Sequence, residues 1–152
     1  MGPKFRLAVT SLPVTRIEES IPETFREAAD RGADLILLPE EPDIVMGWKP
    51  GLYRLTDHPI YSLMASCAAK YGIGAVASVS AIAGKGYANT GFLIDRKGVL
   101  AGVYRKQHPA PGEEAIVTDP AGDDPFPVFE FDGVVLGKIG RASCRERVYH
   151  PV

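Results

Sequence analysis

The chain has 152 residues, 45% hydrophobic and 24% charged, with a formal net charge of −2. That is enough ordinary globular sequence for one core, and its charge argues against a nucleic-acid surface or a charged tail. No apolar run approaches the roughly 18 residues of a membrane helix. Met1-Gly2-Pro3-Lys4 opens neither a signal peptide nor a myristoylation site, and the two cysteines stand at unrelated spacing, so the expectation is a cytoplasmic protein with no membrane or nucleic-acid partner.

Phe5 to Thr10 alternates, with Phe5, Leu7 and Val9 on one face, as a first strand does. Thr15 and Glu18 have the spacing of a capping box. Ile17, Ile21, Phe25 and Ala28 then follow helical spacing, with Pro22 inside the pattern as a possible kink or new start and Gly32 as the stop. Leu35 to Leu38 is a continuous apolar run, the pattern of a strand buried on both faces. Pro39 cannot donate to a ladder, so the strand should stop there and deliver Glu40 at its carboxyl end.

Asp57 is positioned to cap a second helix that runs to about Lys70 and stops at Gly72, and Ile73 to Ile82 reads as a third strand. Ala83-Gly84-Lys85-Gly86 has the glycines and lysine of a phosphate loop but not its spacing or its Ser/Thr, so it reads as a strand connection. Asn89 to Asp95 is a strand, Arg96-Lys97-Gly98 a tight turn, and Val99 to Tyr104 the return strand, which runs into Lys106. Alternating strands and helices followed by a hairpin argue an α/β fold with a mixed sheet.

Two residues stand out chemically. Glu40 is a carboxylate at the mouth of a buried strand, and Lys106 is an ammonium in the corresponding place on another. Each by itself is equally well read as a solvated strand end. His58, His108 and His150 share no ligand spacing, so no metal is expected. Trp48, in the loop after Glu40, either lines a pocket or simply packs on the surface.

Taken together, LILLPE and NTGFLIDRKGVLAGVYRKQH resemble the nitrilase, or carbon–nitrogen hydrolase, superfamily, over most of residues 4 to 138. The resemblance implies an αββα sandwich, here an incomplete one with a mixed sheet, and a Glu-Lys-Cys triad without a cofactor. By position Glu40 matches the general base and Lys106 the catalytic lysine. Glu113 falls where many members keep a second carboxylate, with Glu114 nearly as good a match. The implied substrate is a small amide or carbamoyl-amide, less readily a nitrile, and the full-length protein is expected to form a homo-oligomer. Alternatives are the acyltransferase and glutaminase branches, or a non-catalytic binding fragment of the same fold.

The chemistry needs these groups. A carboxylate removes the thiol proton, and burial would raise its basicity toward neutrality. An ammonium beside the reacting carbon stabilises the oxyanion, a contribution of about 3–4 kcal/mol for such donors. The heads of Glu40 and Lys106 should therefore converge to about 3–6 Å, at the carboxyl ends of neighbouring strands.

Of the two cysteines, Cys67 sits in an apolar helical segment and reads as an inert core thiol. Cys144 has the nucleophile's register by resemblance, but Arg141-Ala142-Ser143 and Arg145-Glu146-Arg147 around it are too polar for a core strand. Residues 139–148 read IGRASCRERV, the in-frame translation of atcggaagagcgtcgtgtagggaaagagtg, which looks like a common sequencing-library adapter. The expectation is that residues 1–138 are the N-terminal half of the domain and 139–152 a non-native tail. Such a half should leave a sheet edge unpaired and apolar faces uncovered, and so be poorly soluble.

Overall fold

The computed structural model describes residues 4–13, 15–107 and 127–137. Its main body is a five-stranded sheet of β1 (Leu7–Val9), β2 (Leu35–Leu37), β3 (Gly74–Ala83), β4 (Gly86–Ile94) and β5 (Leu100–Arg105), in that spatial order. β1, β2 and β3 pair in parallel, whereas β3–β4 and β4–β5 are antiparallel. The sheet is thus mixed, and β5 runs in the same direction as β2.

Helix α1 (Ile17–Asp30) buries Ile17, Ile21, Phe25 and Ala28, the stripe read from the sequence. Burying side chains the size of Ile21 or Phe25 stabilises by about 1.5–3 kcal/mol each. That packing, more than local propensity, holds a helix that retains Pro22 in its interior. The capping box does not form. Arg16 occupies the N-cap with no side-chain cap, and its Nε pairs with Glu19 Oε2 at 2.7 Å instead.

A short helix α2 (Pro42–Val45) and a 3₁₀ turn (Leu55–Asp57) precede α3 (Pro59–Tyr71). Asp57 ends the turn rather than capping α3. The cap is His58, whose Nδ1 accepts from the Ile60 amide at 3.2 Å. Gly72 closes α3 in the left-handed conformation, where a Cβ would be strained. The Ala83-Gly84-Lys85-Gly86 segment is the tight β3–β4 hairpin connection, with Ala83 paired to Gly86.

α1 and α3 cover one face of the sheet, packing on Ile36, Ala75, Ala77, Val79, Phe92 and Ile94. Alternation sends Leu35, Val76 and Leu93 to the opposite face, where they meet Phe129, Phe131 and Leu136 of a separate hairpin. That hairpin is β6 (Val128–Phe131) and β7 (Val134–Gly137). It crosses so closely that Phe131 fills the space over Gly74 and Phe129 that over Gly102. Among the described residues the layers are helix, five-stranded mixed sheet and a two-stranded sheet, the mixed α/β arrangement expected.

Arg96 fastens the hairpin to the sheet. Its Nε reaches Asp132 Oδ2 at 2.6 Å, its Nη2 Asp34 Oδ1 at 2.6 Å, and its Nη1 donates to the Gly72 carbonyl at 2.7 Å. An apolar cavity of about 370 Å³ remains between sheet and hairpin, walled by Leu7, Leu35, Leu37, Val76, Leu93 and Leu136. Among the described residues no strand pairs with the outer edge of β1. None of the described helices is long and apolar enough to cross a membrane.

Candidate active site

The site is built from the ends of four strands. Leu38 continues β2 for one more hydrogen bond, donating to the Val76 carbonyl at 2.9 Å, and Pro39 then ends the ladder. Glu40 follows. Glu41 turns the chain with φ 44, in the left-handed region, and its amide donates to Ser78 Oγ of β3 at 3.1 Å. Three residues past Glu40, Asp43 Oδ2 accepts from the Ser80 amide at 2.9 Å. The turn carrying Glu40 is thereby tied to β3 at two alternate residues.

Register explains what lies beneath it. Ser80 pairs with Asn89, and Thr90 with Arg105. The Lys106 amide donates to the Asn89 carbonyl at 3.0 Å, which carries the β4–β5 register one step further. Ser80, Asn89 and Lys106 thus form one row across three strands, and residues directly opposite share a face. Glu40 reaches over that row. Its Oε1 accepts from Asn89 Nδ2 at 2.7 Å and lies 3.4 Å from Lys106 Nζ.

The convergence of Glu40 and Lys106 falls inside the distance read from the sequence, but the strands that bring it about are not neighbours. β3 and β4 stand between β2 and β5. The two heads meet because the turn after β2 crosses the end of the sheet. Burial is also divided otherwise than expected. The Lys106 side chain is 5% exposed and that of Glu40 43%, so the ammonium is the enclosed member and the carboxylate stands at the rim.

Asn89 was not among the residues singled out from the sequence, although it is a polar side chain within a strand and 7% exposed. Ser78 and Ser80 were likewise legible only as polar interruptions of an apolar strand. Trp48 packs its ring on His58 at 5.6 Å and on Tyr53 at 6.3 Å. Cys67 is buried as expected, and burial pushes its thiol up from the ordinary value, with Lys70 opposing. Glu113, Glu114, His108, His150 and Cys144 lie outside the described residues.

A half-exposed carboxylate steadied by an amide and an ammonium can receive a proton, and an enclosed ammonium can stabilise a developing oxyanion. Residues 14–151 match the model of the carbon–nitrogen hydrolase family. The chain belongs to the carbon–nitrogen hydrolase family. Solved structures share the fold. An amidase from Nesterenkonia sp. superposes with a TM-score of 0.64 at 23% identity, covering 88% of this chain and 52% of the amidase. A double mutant of the Nesterenkonia sp. AN1 amidase, glutamate to glutamine and cysteine to alanine, in complex with acrylamide gives 0.69 at 22% identity over 90% and 56%. The carbon–nitrogen hydrolase of Helicobacter pylori G27 gives 0.61 at 17% identity over 85% and 48%. The chain spans about half the length of these solved relatives. No curated protein matches it.

Proposed function

We propose that this carbon–nitrogen hydrolase sequence belongs to an enzyme that hydrolyses a small amide or carbamoyl-amide, with Glu40 as general base and Lys106 as oxyanion stabiliser. The observation that carries the reading is the 3.4 Å approach of an enclosed Lys106 ammonium to the Glu40 carboxylate. Glu40 takes the proton of a cysteine thiol as sulfur attacks the carbonyl carbon. Lys106 balances the charge on the oxygen. Nitrogen leaves with the proton returned by Glu40, and a thioester remains. A water, deprotonated by the same carboxylate, attacks that carbon; the thiolate leaves, takes the proton back from Glu40, and the acid is released.

By resemblance Cys144 stands in the register of the nucleophile, and Glu113 or Glu114 in that of a second carboxylate near the lysine; Trp48, in the loop after Glu40, packs on His58 and Tyr53. We read residues 1–138 as the N-terminal half of the domain. The adapter-like sequence of residues 139–148 supports reading 139–152 as a non-native tail, in which case the working cysteine lies in the natural continuation and the chain as it stands is inactive. That same observation favours a second reading of the chain as given, a non-catalytic fragment of the fold.

Resequencing the source DNA across codon 138 separates the two. A continuation into an apolar strand with its own cysteine supports the hydrolase, and the protein carrying it should release ammonia from small amides. Glu40→Gln and Lys106→Ala are each expected to lower that rate by about 100-fold or more. A rate untouched by either substitution overturns the assignment.

A further inference from the structure

We propose that Asn89 is the positioning residue of this site: its side-chain amide holds Glu40 by Oε1, leaving Oε2 as the oxygen that takes the proton. The inference rests on the reading of Glu40 as base and adds to it which atom acts and what aims it.

Oε1 is engaged twice, by Asn89 Nδ2 at 2.7 Å and by Lys106 Nζ at 3.4 Å. Oε2 accepts no hydrogen bond among the described residues. A glutamate at the rim has several rotors and, 43% exposed, would otherwise sample solvent. Asn89 is itself fixed, because it is 7% exposed and lies in the paired middle of the sheet. It steadies both members of the pair, since its backbone carbonyl also takes the Lys106 amide at 3.0 Å.

The residue type suits the task. A carboxamide carries no charge, so it donates to the carboxylate without supplying a competing proton. The flipped amide would set its carbonyl against Oε1, oxygen to oxygen, so an ionised Glu40 selects the orientation seen. An aspartate here would repel Glu40, and an aliphatic residue would release it. In the proton transfer the sulfur–hydrogen bond breaks, its electron pair stays on sulfur, and an O–H bond forms at Oε2. Oε1 keeps both donors throughout.

Asn89 is the only asparagine in the chain, so selective ¹⁵N-asparagine labelling gives a single side-chain amide signal. Two unequal amide proton shifts are expected, with the downfield one moving as acid protonates Glu40. That movement should vanish in Glu40→Gln, and in Glu40→Ala should the glutamine variant not fold. An amide signal that does not titrate, or titrates alike in wild type and variants, overturns the positioning role even where Glu40 proves to be the base. A titrating signal in an enzyme whose amide hydrolysis survives Glu40→Gln overturns the base reading, and the proposal falls with it.

Discussion

His58 Nε2 lies 3.4 Å from Asp43 Oδ2, and both side chains are only 2% exposed. His58 Nδ1 accepts from the Ile60 amide, so the ring's other nitrogen carries the hydrogen and faces Asp43 at ion-pair distance. The same carboxylate oxygen accepts from the Ser80 amide, while Oδ1 has no hydrogen-bond partner among the described residues. One buried carboxylate thus ties α2, the start of α3 and β3 together directly behind the turn that carries Glu40.

Asp43→Ala leaves the Ser80 amide buried without its acceptor and removes the carboxylate facing His58. The expected loss is about 2–4 kcal/mol. Asp43→Asn keeps an acceptor oxygen and should cost less than half as much. Urea midpoints at unchanged slope measure both. Equal losses in the two variants would show that volume, not the acceptor, matters at this position.

The Arg96 clamp predicts an acid-sensitive hairpin. The Asp34 carboxyl is held below its ordinary value of 3.8 by the Arg6 backbone amide and by the Arg96 guanidinium. A lowered native value means this stabilisation is complete above the unfolded value and is lost as pH falls through the native one, that is, below 3.8. Hydrogen exchange at β6 and β7 should therefore accelerate first in that acid window. Arg96→Lys, which cannot reproduce the three-way fork, should give the same acceleration at neutral pH, with α1 and α3 still protected. Uniform loss of protection across both layers would mean that the hairpin is not an independently held unit.

Cys67 should be silent to thiol reagents in the folded protein. It is buried, and burial pushes its thiol up, so little thiolate forms at neutral pH. Iodoacetamide at neutral pH, with peptide mapping, should find Cys67 unmodified until urea unfolds the chain. Rapid native labelling of Cys67 would contradict the packing of α3 on the sheet.

Much of this was legible from residue pattern. The α1 stripe, the stop at Pro39, the β3–β4 connection and the meeting of Glu40 with Lys106 follow from periodicity, proline chemistry and a family resemblance. What escaped was set by tertiary contact. Arg16 reaches Glu19 and displaces the expected threonine cap, and His58 takes the cap of α3 because its other nitrogen faces Asp43. The β6–β7 hairpin was not read from the sequence, and no single-strand pattern says that Phe129 and Phe131 will rest on glycines of another sheet. Asn89 gained its role only when register put it opposite Lys106, a relation no local window contains.

The β1 edge, which no described strand pairs, and the exposed apolar side chains make a last prediction. Leu7 and Val9 of β1 are 51% and 71% exposed, and Val128 and Val135 of the hairpin 66% and 70%. An unpaired edge strand offers its backbone groups to another chain, and exposed apolar side chains add to that attraction. The short length of β1, three residues, limits the ladder it can template but not the apolar contact. The chain should therefore self-associate at rising concentration, and more strongly in sulfate, which favours apolar burial. Val9→Lys places a charge on the edge strand, where edge lysines oppose pairing, and should shift the sedimentation profile toward monomer without lowering the urea midpoint. Val135→Lys tests the hairpin face in the same way. If Val9→Lys leaves association unchanged and Val135→Lys abolishes it, the contact runs through the β6–β7 hairpin and not through the edge of the five-stranded sheet.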